Sequence, residues 1–396
     1  METWHLARGY RYAGVHSGIR PEPERLDLAL IASDRPAAAA GVFTQNRVCA
    51  APVQVCRERV PAAQARGIVI CSGNANACTG QRGRDDARQM TALAAAALGV
   101  AAEQVLVCST GVIGRLLPMD VIAPGIASAA RELAEGALAL EHAARAILTT
   151  DTRIKVSTRS MAAGEDRACL TGLAKGSAMI GPNLATMLAF VLTDAAVTPA
   201  DLAALAHVAA ERTFNCVSVE GHTSTNDSLI FFANGTGPPL RGDALARFKE
   251  AACAVCADLA RAIAADAEGA SHLVTIEVEG TRTDAEARTV ARAVADSALV
   301  KTALFGADPN WGRIVSAAGY AGVDFHESQL SLWLGETLLY RSGTPLPFDA
   351  AAVSAFMRQN RELTLRLVFA LGQGRCTFWT CDLTYDYVRL NAEYTT

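Results

Sequence analysis

Short apolar runs alternate along the chain with longer, alanine-rich stretches. The runs predict strands over 26–32, 67–71, 104–108, 187–193, 228–233, 272–279, 329–334, 363–370 and 376–382. Between them, segments rich in Ala, Leu, Arg and Glu predict helices over 85–98, 125–148, 199–213, 244–267, 284–304 and 349–358. In Val274-Thr-Ile-Glu-Val-Glu279 apolar side chains alternate with polar ones, so one face should be buried. Such alternation favours an antiparallel or mixed sheet. The clearest helix start places Thr198 as N-cap, Pro199 at the first helical position and Asp201 near the positive end of the dipole. The alternation of element types predicts an α/β (α+β) fold of layered mixed sheets flanked by helices. No internal repeat or low-complexity linker interrupts it.

The loops narrow the picture further. Ser72-Gly-Asn-Ala-Asn-Ala-Cys-Thr-Gly80 and Ser109-Thr-Gly-Val-Ile-Gly114 each follow a predicted strand, where glycine permits positive φ and lets backbone N–H groups point at a ligand. Both are candidate anion or oxyanion cradles. Neither matches a phosphate-binding fingerprint, because Lys175-Gly176-Ser177 runs in the wrong order for a Walker loop. Gly372-Gln-Gly374 lacks the rest of a dinucleotide motif and reads as a turn.

Lys175-Gly-Ser-Ala-Met-Ile-Gly-Pro-Asn-Leu-Ala-Thr-Met-Leu-Ala-Phe190 sets a threonine between a loop and a strand. A threonine hydroxyl is a weak nucleophile at neutral pH, and its own N-terminal amine is one of the few bases able to activate it. Cleavage between Ala185 and Thr186 would expose that amine. Most threonines before an apolar strand simply pack, so the motif gains weight only with partners. Thr110 and Gly111 offer a hydroxyl and an unencumbered N–H suited to an oxyanion, or else form an ordinary turn. Lys175 is a candidate clamp for a carboxylate, its plain alternative being a solvated lysine. Glu268, in Asp266-Ala-Glu-Gly269 at a predicted helix end, can pair with an amine; the helix dipole disfavours an acid there. Asp308-Pro-Asn-Trp-Gly-Arg313 and Ser224-Thr-Asn-Asp227 read as loop shapers.

Composition bounds the partners. At 396 residues the chain has room for two or three domain-sized units of roughly 100–200 residues each. Hydrophobic residues make up 51% and charged ones 19%, with 36 Lys and Arg against 40 Asp and Glu. This excludes a disordered chain and a strongly basic nucleic-acid binder, and suits a small polar substrate. The beginning lacks a charged-then-apolar leader, and the longest apolar run, 92–102, is too short to span a bilayer, so a cytoplasmic protein is expected. Eleven cysteines are scattered among strand-like and helix-like segments as small hydrophobes. The Cys253/Cys256 pair lies in a helical stretch with no second ligand pair, and the seven histidines have no ligand spacing. No metal site is predicted.

Taken together, the motifs resemble one family. They are Asp27-Leu-Ala-Leu-Ile31 with Ala40-Gly-Val-Phe-Thr44, Ser72-Gly-Asn-Ala-Asn76, Ser109-Thr-Gly-Val-Ile-Gly114, Thr149-Thr-Asp-Thr152, the 175–188 segment, Ser224-Thr-Asn-Asp227, Asp266-Ala-Glu-Gly269, Val300-Lys-Thr-Ala303 with Asp308 to Arg313, and the last ten residues. In this order, from residue 14 to residue 396, they resemble the ornithine acetyltransferases of arginine biosynthesis, also called glutamate N-acetyltransferases. The resemblance implies a self-processing N-terminal-threonine acyltransferase fold cut at Ala185–Thr186. The products would be an α chain, 1–185, and a β chain, 186–396, assembling as an α2β2 heterotetramer. It implies that Thr186 takes the acetyl group of N2-acetyl-L-ornithine and passes it to L-glutamate by a ping-pong route without a cofactor. Acetyl-CoA is left open as a further donor.

By motif position the resemblance makes Thr110 and Gly111 the oxyanion hole, and has Thr152, Lys175, Thr186, Glu268, Asn391 and Thr396 contact the substrate. The sequence departs from the family pattern at three places: Ala178 stands where glycine is expected, Leu184 where methionine is common, and Glu220-Gly-His222 where Asp-Gly-Asp is usual. The first two keep volume and polarity nearly unchanged. His222 changes a charge, which leaves room for a paralogue with another donor or acceptor, and a threonine-nucleophile amidohydrolase is the other alternative.

Overall fold

The computed structural model describes residues 4–163, 166–181, 187–237 and 239–393. Two mixed sheets carry the fold. The first contains β1 (Tyr10–Val15), β2 (Leu28–Phe43), β3 (Ala62–Asn74), β4 (Val105–Val112), β5 (Lys155–Ala163), β6 (Asp166–Lys175), β7 (Leu188–Thr193) and β8 (Ser228–Ala233). Its order is β4-β3-β2-β8-β7-β6-β5, with β1 paired to β2. The second contains β9 (Leu273–Thr281), β10 (Leu330–Leu334), β11 (Thr337–Arg341), β12 (Thr344–Pro345), β13 (Glu362–Phe369) and β14 (Gly374–Cys381), in the order β12-β11-β10-β13-β9-β14.

Burial follows from the side-chain pattern. β7 (LAFVLT) and β8 (SLIFFA) are buried at every position, because layers cover both faces of the first sheet. Leu188, Phe190 and Leu192 join one apolar cluster with the helices Gly80–Leu98, Met119–Arg131 and Ala137–Ala146; Ala189 and Val191 join another on the opposite face. In that second cluster the helix Gly242–Ala265 packs on β5 and β6 of the first sheet and on β14 of the second. The layers therefore run helix, sheet, helix, sheet. β9 buries Val274, Ile276 and Val278 while Glu279 is exposed, as its alternation predicts. It pairs parallel with β13 and antiparallel with β14, a mixed sheet.

Two predicted helices are each divided. The 125–148 stretch belongs to Met119–Arg131 and Ala137–Ala146, because Ala134 exchanges backbone hydrogen bonds with Tyr12 of β1 and Gly136 adopts φ +97°. The 284–304 stretch is Asp284–Asp296 and Ala298–Phe305, split at Ser297, whose side chain accepts from the Val300 N–H and caps the second helix. Thr198 caps Pro199–Arg212 by accepting from the Asp201 N–H at 3.1 Å, as read from the sequence. β1, β5, β6, β11, β12 and the helices Ala51–Arg59, Trp311–Gly319 and Tyr385–Glu393 were not predicted.

Candidate active site

Parallel pairing brings the ends of β3 and β4 together, and the ladder shifts there: Asn74 faces both Thr110 and Val112. Such a bulge re-aims the backbone at a strand end. Gly111 has φ +132°, and a Cβ on it would stand 2.3 Å from the Gly73 carbonyl carbon, so both conformation and close approach demand glycine. Thr110 is buried. The Asn226 amide holds this corner by donating to Ala75 O at 2.6 Å and to Ser109 O at 2.8 Å, the carbonyl just before Thr110.

Lys175 ends β6 and is 2% exposed. Its ammonium donates to Thr149 Oγ1 at 2.7 Å and lies 3.8 Å from Asp151. Asp151 also accepts from the Gly176 N–H at 2.6 Å and from Lys155 Nζ at 2.7 Å, while Lys155 donates to Asp266 at 2.6 Å. Burial by itself raises a carboxyl pKa, yet Lys175, Lys155 and these hydrogen bonds hold Asp151 well below the usual carboxylate range. Burial lowers Lys175 from the ordinary lysine value, partly offset by Asp151. The result is a desolvated cation fixed by an anion behind it.

These groups meet in a cleft of about 320 Å³ whose walls include Thr110, Gly111, Lys175, Asn226, Glu268 and Asn391. Glu268 follows the helix Gly242–Ala265, fixed through its N–H to Ser177 O at 2.9 Å, and Asn391 on Tyr385–Glu393 donates to its carboxylate at 3.1 Å. The cleft is thus built from strand ends, a helix end and the late helix, with Lys175 and Glu268 supplying opposite charges. An amino acid with an α-carboxylate and an ammonium matches that polarity. Among the described residues no cluster of three His, Cys, Asp or Glu can hold a metal ion.

Thr152 does not line the cleft. Its hydroxyl and N–H both donate to Asp266, so it braces the ion network instead. Ala185, Thr186 and Thr396 lie outside the described residues, as does Leu184. Met187, joined directly to Thr186, donates its N–H to Asp227 at 3.1 Å, and β7 and β8 pair from Leu188 and Ser228 onward. Ala178 lines the cleft, whereas His222 is exposed and stands outside it.

Reading the sequence gave Ser224-Thr-Asn-Asp227 only a shaping role, yet Ser224, Thr225 and Asn226 form cleft wall and Asp227 abuts the strand after Thr186. It also missed Arg20 and Thr149, both in the lining. Glu220 is a further surprise, with both carboxyl oxygens buried and unpartnered among the described residues. Burial pushes it up to about 7, partly offset by the Ile180 backbone and then by the charge of Lys301. Tyr387 beside it is raised to about 12, by burial and then by Glu220 and Glu268.

The model of the ArgJ family matches residues 11–396. The chain belongs to the ArgJ family. The arginine biosynthesis bifunctional protein ArgJ of Geobacter sulfurreducens is 46% identical over 393 residues, covering 98% of this chain and 99% of its own. The protein of the same name from Symbiobacterium thermophilum is 46% identical over 394 residues, with 98% and 97% covered. A solved chain of the arginine biosynthesis bifunctional protein argJ from Bacillus halodurans aligns with a TM-score of 0.50 at 37% identity, covering 52% of this chain and 98% of its own. This ArgJ chain is therefore similar along nearly its whole length to curated enzymes, and its layered α/β fold is the family's. No helix among its described residues is long and apolar enough to cross a membrane.

Proposed function

We propose that the protein is a self-cleaving acyltransferase of arginine biosynthesis that moves the acetyl group of N2-acetyl-L-ornithine to L-glutamate. The observation that carries this reading is the convergence of Thr110, Gly111, Lys175, Glu268 and Asn391 on one cleft, whose Ser224–Asn226 wall leads directly into the contact between Asp227 and Met187. Met187, the residue that follows Thr186 in the sequence, is held there through its N–H.

In the cut chain the Thr186 amine accepts the hydroxyl proton as Oγ attacks the acetyl carbonyl. The Thr110 hydroxyl and Gly111 N–H stabilise the oxyanion, a contribution of about 3 kcal/mol per donor in comparable sites. The C–N bond breaks, and ornithine leaves with the proton returned by the amine. The glutamate amine next attacks the acetyl-Thr186 ester, regenerating the hydroxyl. Lys175 binds the α-carboxylate common to both substrates, and Glu268 binds an ammonium. Thr396 completes the substrate contacts, and the reaction proceeds in the cytoplasm without a cofactor. The chains 1–185 and 186–396 remain together in an α2β2 assembly. The match of a solved ArgJ chain to about half of this one supports separate fragments of that size. The exposed position of His222, outside the cleft, favours the ornithine reading over a paralogue with another donor or acceptor.

A denaturing gel and a product assay test this. Two fragments are expected, of 185 residues and, by difference from 396, 211, and Thr186→Ala should give one full-length band and no turnover. Acetylornithine should yield ornithine at full rate only when glutamate is present, with acetyl-CoA compared as donor. Acetate release at full rate without glutamate would identify a hydrolase and overturn the proposal.

A further inference from the structure

Two of the eleven cysteines meet from distant parts of the chain. Cys216 ends the short turn Phe214–Cys216, Cys376 lies on β14, and their sulfurs stand 3.8 Å apart across 160 positions of sequence. The backbone keeps the two segments side by side: Val217 bridges to Trp379, and the Ser218 N–H donates to Trp379 O at 3.0 Å. A disulfide needs about 2.0 Å between sulfurs, a gap that rotation of the two side chains closes.

The two thiols are not equivalent. Cys216 is 2% exposed and donates to Glu211 O at 3.4 Å, while Cys376 is half-buried between the exposed Arg375 and Thr377. Arg288, on the helix Asp284–Asp296, pairs with the Glu211 carboxylate and brings its guanidinium to the same corner. The hydrogen bond with Cys216 and the charge of Arg288 hold the Cys376 thiol below its ordinary value against burial, whereas the same bond and burial raise Cys216. A reactive cysteine is partly exposed and lies in an electropositive setting, and Cys376 meets both conditions. Cys56 and Cys71 do not: both are buried, the first donating to Val107 O at 3.0 Å and the second to Ser109 Oγ at 3.2 Å.

We propose that Cys216 and Cys376 form a thiol–disulfide modification site, which a low-molecular-weight disulfide oxidises to a bond stapling β14 to the segment that follows residue 213. The Cys376 sulfur attacks the reagent, whose S–S bond breaks, and one thiolate leaves. The Cys216 sulfur then attacks the sulfur of Cys376, and the second thiolate departs. Two electrons pass from the cysteine pair to the reagent, and the departing thiolates take up the two protons. The stapled segment bears on the cleft, because the Val219 N–H donates to Ile180 O at 2.8 Å, directly after the cleft-lining Ala178 and Met179. Both cysteines follow residue 186, so the bond forms equally in a cut and an uncut chain and owes nothing to self-cleavage.

The test exposes the reduced, folded full chain to oxidised glutathione, stops the reaction with acid, then denatures, alkylates with N-ethylmaleimide and maps the peptides by mass spectrometry. The expected product is a linked Cys216–Cys376 peptide pair lacking two hydrogens, restored to two alkylated thiols by dithiothreitol. The oxidised protein should melt higher by on the order of 5 °C, because the bond closes a long loop in the unfolded chain. In Cys216→Ala, Cys376 should carry glutathione and the rise in Tm should vanish. In Cys376→Ala, the buried Cys216 should stay a free thiol. Wild-type protein in which both cysteines are alkylated, or in which Cys376 keeps glutathione while Cys216 is alkylated, overturns the proposal. A linked pair that forms in urea but not in buffer overturns it as well, since the folded geometry would then play no part. The decisive readout is on the wild type, so it stands even if a variant fails to fold.

Discussion

Asp151 and Asp266 share the Lys155 ammonium at 2.7 and 2.6 Å, whereas Asp227 and Glu220, also shielded from water, form no ion pair among the described residues. The first group lies far below the ordinary carboxylate range at Asp151; the second is raised at both members. Burial is common to the two regions, so the difference comes from partners alone. An acid whose charge is answered by a cation becomes scaffolding, and here it holds Lys175 at the cleft. An acid left without one keeps its proton and is available for chemistry or for titration near neutrality.

The largest effect should come from breaking the paired region. Asp151→Asn leaves Lys155 and Lys175 short of an anion in a buried setting, where loss of one partner typically costs about 3–5 kcal/mol. Denaturant unfolding should show a loss of that size at neutral pH. Because the folded-state pKa of Asp151 is depressed, its contribution is present above the unfolded value near 3.8 and disappears as pH falls, so the gap between variant and wild type should close in acid. A pH-independent gap would mean that the charge of Asp151 is not what matters.

Glu220 offers the opposite sign. Its carboxyl is raised from 4.5 to about 7, so the wild type is penalised progressively as pH rises through that window. Relative to wild type, Glu220→Gln should gain about 3 kcal/mol between those limits, at 1.36 kcal/mol per unit. A constant difference across the window would place Glu220 among ordinary exposed acids. The smallest effect is expected at Arg389, more than half exposed and 3.1 Å from Asp386 on the last helix. Arg389→Ala should change stability by less than about 0.5 kcal/mol, in contrast to the buried ion pairs.

Legibility of the sequence divided along the same line. The nine predicted strands are all present because their apolar runs report local burial, as in β7 and β8. β5 (KVSTRSMAA) and β6 (DRACLTGLAK) escaped because their lysines and hydroxyls imitate a solvated segment. Lys155 and Lys175 are nonetheless buried, answered by Asp151 and by Asp266, which is 111 residues from Lys155. The glycine of Ser109-Thr-Gly111 marked a special backbone, but its need to approach Gly73 became visible only once β3 and β4 were paired. Thr152 shared a motif with Asp151 and was read as a substrate contact, while the fold turns it onto Asp266.

By itself, then, the sequence determined the layered α/β class, the positions of most strands and helices, and, through resemblance, the identity of the candidate nucleophile. Periodicity and glycine placement are local properties and survive without coordinates. Only the tertiary structure decided which acids are paired and which stand alone. A carboxyl's protonation depends on charges and donors supplied by distant segments, and no local pattern in the chain records them.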